Sequence, residues 1–312
     1  MKRFIGPAII FLVIALFVVM VVTGKTNKAE NEYIEIYATS YPSYDFARAI
    51  VKDTHISVQQ IITPGTDLHS FEPAPEDLLY LNKSKIIVAT CGESEKWLDE
   101  ISAFIDAEKT EKICIMDYVD AAKESDKNIL QPEEKTTDEY DEHVWTSPKN
   151  AIKIVKALKE RIKTVFPEQS EQIDKNTDEY ISKLEELDKS FEKLAKSATK
   201  PLIVADRFPF YYLVHDYDLD YYAAFPGCAE ESEASASTIA KLIDIVKEKQ
   251  IKTIFTIELS DQKVAKTIAE ATGAEVSILH SAHNISSNDY ENGATYYDLM
   301  KYNLGILEKA LK

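Results

Sequence analysis

A chain of 312 residues that is 45% hydrophobic and 29% charged has the make-up of a globular protein and can bury one large core or two ordinary ones. Its formal charge of −17 argues against nucleic acid or an anionic membrane surface as a partner, since both would repel it, and is compatible with gathering cations. Three cysteines, Cys91, Cys114 and Cys228, form no CxxC pair and argue against a disulfide framework; small buried residues at strand ends are the simpler expectation, one disulfide with a leftover thiol the other.

Lys2 and Arg3 precede an apolar run over residues 4–22, broken only by Gly6 and Pro7, which is the order of an export signal. Residues 1–28 therefore read either as a cleaved signal peptide or as an uncleaved membrane anchor, with Lys25, Asn27 and Lys28 as a polar tether in the second case. No cysteine lies near the end of the run to mark a lipoprotein cleavage site. Either way the folded part is expected outside the cytoplasm, attached to or near the membrane.

From residue 33 onward, strand-like runs at 33–41, 56–63, 85–91 and 112–118 alternate with helical patterns near 44–53, 74–84 and 94–105. The rhythm restarts at Pro201, with strands at 201–206, 219–224, 251–258 and 275–280 and helices near 209–217, 235–250, 260–273 and 294–311. Such alternation predicts an α/β protein of two lobes, each a parallel sheet flanked by helices. Between them, residues 168–196 contain neither Gly nor Pro, and Ile173, Tyr180, Leu184, Leu187, Phe191 and Leu194 recur at helical spacing. At 1.5 Å per residue that helix spans roughly 45 Å, long enough to run along both lobes as a rigid strut. Pro167 separates it from a preceding helix that begins near Lys149. The expected organisation is thus an N-terminal lobe over 33–167, a linking helix over 168–196 and a C-terminal lobe over 200–312. Residues 120–142 carry nine acids against three lysines without apolar periodicity and read as a surface loop, either simply solvated or gathering cations beside His143.

Four of the six histidines fall in turn-like clusters next to strand-like runs: His69 in Pro64-Gly-Thr-Asp-Leu-His69-Ser-Phe-Glu-Pro73, His143 in Asp141-Glu-His143-Val-Trp145, and His280 and His283 in Leu279-His280-Ser-Ala-His283-Asn284. Ligands of open parallel sheets bind beyond the carboxyl ends of the strands, where these clusters and Asp206 lie. Neutral imidazole is the commonest metal ligand, and zinc accepts three or four N, S or O donors. The candidate ligands are His69, His143, His280, His283 and Asp206, the last in competition with an ion pair to its neighbour Arg207. His55 and His215 read as structural. Glu231, Glu233 and Glu258 are candidates to brace an imidazole or Arg207, and the Trp and Tyr residues read as core or cleft walls.

The ordered series Pro64-Gly65 through Glu72-Pro73, then Cys91-Gly92-Glu-Ser-Glu95-Lys-Trp97-Leu98, then Glu142-His143-Val-Trp145-Thr-Ser-Pro148-Lys-Asn150, and finally Tyr296-Tyr297-Asp-Leu-Met300-Lys-Tyr-Asn303 resembles the solute-binding proteins of zinc and manganese ABC importers. The resemblance implies two α/β lobes bridged by a long helix with the metal in the cleft between them, no catalysis by this chain, and a membrane permease as partner of a monomer. It implies His69 and His143 as ligands from the first lobe. Zinc members place a His, and manganese members a Glu, at the end of the first strand of the second lobe; this chain departs by offering Asp206 there. It departs again in offering His280-Ser-Ala-His283 where the family has an acid. So nitrogen-rich a set favours Zn²⁺ over Mn²⁺ as the transported ion. The alternatives are a Mn²⁺-specific binding protein of the same class, a surface adhesin or metal buffer sharing the site, and a zinc-dependent hydrolase, for which neither an HExxH helix nor a Gly-x-Ser-x-Gly elbow is present.

Overall fold

The computed structural model describes residues 34–123, 129–130, 140–227 and 234–312; the leader at 1–28, Cys228, Glu231, Glu233 and most of the acidic run at 120–142 lie outside the described residues. The first half carries β1 (Ile36–Ala38), α1 (Tyr41–Ile50), β2 (Val58–Gln60), α2 (Pro75–Leu81), β3 (Ile86–Ala89), α3 (Lys96–Glu100), β4 (Glu111–Cys114) and α4 (Pro148–Val165). After the long helix α5 (Ser170–Ser197), the second half carries β5 (Leu202–Phe208), α6 (Tyr211–Asp216), β6 (Tyr221–Pro226), α7 (Ala236–Glu248), β7 (Thr253–Thr256), α8 (Lys263–Thr272), β8 (Glu275–Ile278), α9 (Ser287–Glu291) and α10 (Tyr296–Ala310).

Each half builds a four-stranded sheet, in the orders β2-β1-β3-β4 and β6-β5-β7-β8, and every pairing is parallel. The strand residues are of the kind that two-sided burial selects, as in Ile86-Ile-Val-Ala89, which is buried throughout. In both sheets the order reverses direction beside the first strand of its lobe, and the crevice at such a switch point opens at the carboxyl ends of the strands.

Helix α5 has the face that the spacing predicts: Ile173, Tyr180, Leu184, Leu187, Phe191 and Leu194 are all buried, together with Ile181. Full burial of a side chain such as Phe191 or Leu184 contributes on the order of 2–3 kcal/mol. These residues belong to one continuous core that takes in Ile36 and Val88 of the first lobe and Val204, Phe255 and Leu307 of the second. The strut therefore packs against both lobes. Pro148 opens α4 in its first turn, where the missing N–H costs nothing, and α4 closes at Val165, two residues before Pro167.

Two expectations need correction. The first strand is shorter than 33–41, because Pro42 in the first turn of α1 commits Tyr41 to the helix. The cysteines are not all unpaired: Cys91 and Cys114, at the carboxyl ends of the neighbouring strands β3 and β4, form a disulfide across a sequence separation of 23.

A candidate metal centre between the lobes

His69 sits in a short 3-10 turn, Leu68–Ser70, that hangs from the end of β2. Asp67 caps that turn by accepting the His69 N–H at 3.1 Å, and buried Leu68 anchors it. Gly65 earns its place at the start: its φ of +89° is left-handed, and its N–H donates to Ile285 O of the other lobe at 2.8 Å. The second loop sets His143 through Asp141, whose Oδ1 accepts the His143 backbone N–H at 2.8 Å and lies 2.9 Å from its Nδ1. A carboxylate there fixes the tautomer with the proton on Nδ1 and leaves Nε2 as the free donor. From the second lobe comes His283. Its turn is gripped by Glu258, which accepts the Ser281 N–H at 2.7 Å and the Ser281 hydroxyl at 2.6 Å, and Ser281 Oγ in turn accepts the His283 N–H.

These elements bring His69, His143 and His283 together with Glu142, one potential ligand atom from each lying within 4.8 Å of all the others. The three rings have centroid separations of 6.1, 5.2 and 5.0 Å. Glu142 Oε1 is 3.9 Å from His69 Nδ1 and 3.8 Å from His283 Nε2. Donors on a tetrahedral ion with bonds of about 2.0–2.1 Å stand roughly 3.3 Å apart, so the two Glu142 contacts would close by only about half an ångström on such an ion. The cavity at this point is about 30 Å³, room for one ion and not for an organic ligand.

The electrostatics fit the same use. Burial, then the neighbouring His143 and Arg207, pulls the His69 imidazole down to about 4, and burial pulls His283 well below its ordinary value, so both rings are neutral donors at pH 7. Nε2 of His283 is buried with no hydrogen-bond partner, an orphan that a cation would satisfy. Glu142 is fully buried, and desolvation pushes its carboxyl upward, opposed by His143 and by hydrogen bonds from Ser94. Trp145 walls the site: it is fully buried, its ring lies 5.6 Å from His143 and 5.0 Å from His283, and its Nε1 donates to Ser281 O.

Two of the five candidates from sequence lie elsewhere. His280 is held away because its backbone N–H and C=O both bond the side chain of Asn303 on α10, which turns the ring onto Tyr302 at 5.3 Å. Asp206 is inside β5 rather than at its end, and successive strand residues face opposite ways. The position lining the metal cavity is Arg207, whereas Asp206 faces a neighbouring cavity beside Ser260 and Gln262. Asp206 also makes no ion pair with Arg207, whose guanidinium instead reaches Asp67 at 2.9 Å, next to the His69 turn. Sequence reasoning missed Glu142 as a member of this cluster. Its adjacency to His143 was visible, but so was the acidic run it ends, which reads as solvated surface. His55 and His215 are exposed and lie outside the cluster, paired loosely with Glu168 and Asp216.

Two parallel α/β lobes on a shared long helix, with a buried His/Glu cluster in the cleft, define a metal-ion solute-binding protein. The family described as ZnuA, zinc-uptake complex component A, periplasmic, matches residues 36–310, and the chain belongs to it. The high-affinity zinc uptake system protein ZnuA of Bacillus subtilis (strain 168) is 29% identical over 315 residues, 97% of each chain. The zinc-binding lipoprotein AdcA of Streptococcus pneumoniae (strain R6) is 28% identical over 301 residues, which are 96% of this chain and only 60% of that protein. Among solved structures, the metal-dependent lipoprotein YcdH of Bacillus subtilis superposes with a TM-score of 0.75 at 30% identity, over 89% of this chain and 99% of the other. The Zn(II)-bound ZnuA-like domain of Streptococcus pneumoniae AdcA gives 0.75 at 27% identity, over 89% and 98%.

Proposed function

We propose that the protein captures Zn²⁺ outside the cytoplasmic membrane and delivers it to the permease of an ABC importer, holding the ion with His69, Glu142, His143 and His283. The observation that carries this is the buried cluster itself, three imidazoles and one carboxylate converging on a cavity the size of one ion. Three nitrogens against one carboxylate suit zinc better than manganese, which favours more oxygen. Family membership supplies the importer, and the zinc-bound AdcA domain is a relative in which such a fold holds this metal. The chain acts as a binding protein, without chemistry of its own. Its working form is a monomer with lobes at 33–167 and 200–312 on the 168–196 helix, and residues 1–28 direct it to the membrane as cleaved signal or retained anchor. Among the described residues, no helix is long and apolar enough to cross a membrane.

The test is the metal content of the purified protein, followed by competitive titration of the metal-free form with Zn²⁺ and Mn²⁺. One tightly bound Zn²⁺, preferred over Mn²⁺ and lost in His69→Ala, is the expected result. Preference for Mn²⁺ would reassign the cargo, and binding indifferent to His69 would remove the site.

A further inference from the structure

The turn from Cys91 to Glu95 contributes no side chain to the ligand cluster, yet it grips one member of it. Glu142 uses its two oxygens differently. Oε1 faces His69 and His283, while Oε2 accepts both the backbone N–H and the hydroxyl of Ser94, each at 3.0 Å. Gly92 allows this approach, since a Cβ there would stand 2.1 Å from Glu142 Oε2 and 2.3 Å from Glu142 Cβ. The turn is itself tied down. Cys91 holds a left-handed φ of +61°, which an L side chain adopts rarely. Its N–H donates to Glu95 Oε2 at 2.8 Å, Thr39 donates to Glu95 Oε1 at 2.5 Å, and the disulfide fixes Cys91 to Cys114 at the end of β4. Both cysteines are only partly buried, so a small thiol can reach them.

We propose that Ser94 is the positioning residue for the Glu142 carboxylate, and that the Cys91–Cys114 disulfide fastens the turn that carries Ser94, so that reduction by a dithiol weakens metal capture. The inference rests on the function proposed above. A thiolate of the dithiol attacks one sulfur and forms a mixed disulfide; its second thiol then displaces the protein sulfur. Two electrons and two protons pass to the protein as two thiols, and the reagent leaves as its own disulfide. With the cross-link gone, Cys91 is free to leave its left-handed conformation, and both Ser94 donors lose their aim. Glu142 is then a buried carboxylate with fewer donors, placed less well for the ion.

The experiment is Zn²⁺ competition against a chromophoric chelator, with Co²⁺ visible absorption as a reporter of ligand geometry. It is run on wild type, Ser94→Ala, Ser94→Thr and His69→Ala. Each protein is measured oxidised with the Cys228 thiol capped, and again after dithiol reduction, capping of Cys91 and Cys114, and removal of the reagent. Ser94→Ala should weaken Zn²⁺ by about 10–100-fold and shift the Co²⁺ bands, as loss of a group that orients a ligand does, and Ser94→Thr should recover most of the affinity. Reduction should weaken wild type and cost Ser94→Ala much less, the non-additivity of two groups acting through one contact. Ser94→Ala with wild-type affinity and unchanged Co²⁺ bands would overturn the positioning role. No loss on reduction, or equal loss in wild type and Ser94→Ala, would overturn the link to the disulfide. The reduced wild type carries no substitution, so that arm stands even if a variant folds poorly. Should His69→Ala also bind Zn²⁺ normally, the function proposed above fails; loss in His69→Ala beside normal binding in Ser94→Ala fails this inference alone.

Discussion

Asp141 touches no proposed ligand atom, so replacing it measures how much of the metal affinity lies in the orientation of an imidazole. One oxygen, Oδ1, receives the His143 backbone N–H at 2.8 Å and faces Nδ1 at 2.9 Å, and the residue is only 2% exposed. Asp141→Asn keeps the shape and an acceptor oxygen but removes the charge. Hydrogen bonds to a charged partner contribute about 1.5–3 kcal/mol against about 0.5–1.5 for neutral pairs. Losing that difference at the ring bond, where the positive charge of the bound ion is felt, costs about 1–2 kcal/mol of binding. At about 1.4 kcal/mol per factor of ten this is roughly 5–30-fold in Kd. Asp141→Ala removes the acceptor altogether and leaves a buried N–H unpaired, so the loss should reach about 2–4 kcal/mol. Chelator competition gives Kd, and stopped-flow release to excess chelator should put most of the change in the off-rate. An Asp141→Asn protein that binds Zn²⁺ within about twofold of wild type would refute the claim that this carboxylate sets the His143 donor, since the weakest pairing above predicts more.

His283→Ala should weaken Zn²⁺ by at least about 10-fold, whereas His280→Ala should leave Kd unchanged, because only the former ring faces the cluster; the same titration reads both. Asn284→Ala should lower stability by about 3 kcal/mol, measured as a shift of the urea midpoint with unchanged slope, because its buried amide serves Thr63 O, Thr66 O, Gln60 and the Ile285 N–H at once. Glu95, fully buried and raised by desolvation from 4.5 to about 7, keeps its proton in the folded chain while the unfolded chain loses it. The folded state therefore binds more protons between about pH 4.5 and 7, and stability falls as pH rises through that window. Glu95→Gln should remove this decline and gain on wild type as pH is raised, and parallel slopes for the two proteins would contradict it. Small-angle scattering with and without Zn²⁺ should give the same radius of gyration, and a large contraction would contradict the bracing between lobes described below.

The sequence made the strut legible because its apolar residues, Ile173 to Leu194, repeat over about six turns, and only packing against both lobes needs so long a stripe. His69 and His143 were candidates because each stands in a motif of the ordered series that resembles the metal-importer family, and the structure brings both into the cluster. The fine assignment was not legible, and the reasons are local. Placing Arg207 rather than Asp206 at the cavity needs the phase of β5, and the register of that strand shifts between Val204 and Arg207. Choosing His283 over His280 needs the turn after β8, where Ala282 takes φ +56° and Asn303, distant in sequence, captures the backbone of His280. The Cys91–Cys114 pair needs the sheet order, since only the adjacency of β3 and β4 brings the two strand ends together.

The lobes are joined by more than the strut. The segment that carries His283 runs on from Ser281 to Tyr296 in close contact with the first lobe. Tyr41 N–H donates to His283 O and Tyr41 OH to Ala294 O, while Trp145 Nε1 donates to Ser281 O. Tyr296 gives its N–H to buried Asp45 and its hydroxyl to Trp145 O. A wide hinge opening would break this set together and leave buried groups unpaired, at about 1–3 kcal/mol for each. The 64–71 turn is attached differently, by Gly65, by the Asn284 amide and by the partly exposed Asp67–Arg207 pair, and exposed pairs of that kind contribute about 1 kcal/mol or less. The His69 turn is thus tied to the second lobe through the Asn284 amide and the Ile285 carbonyl, and displacing the turn alone breaks those buried bonds as well.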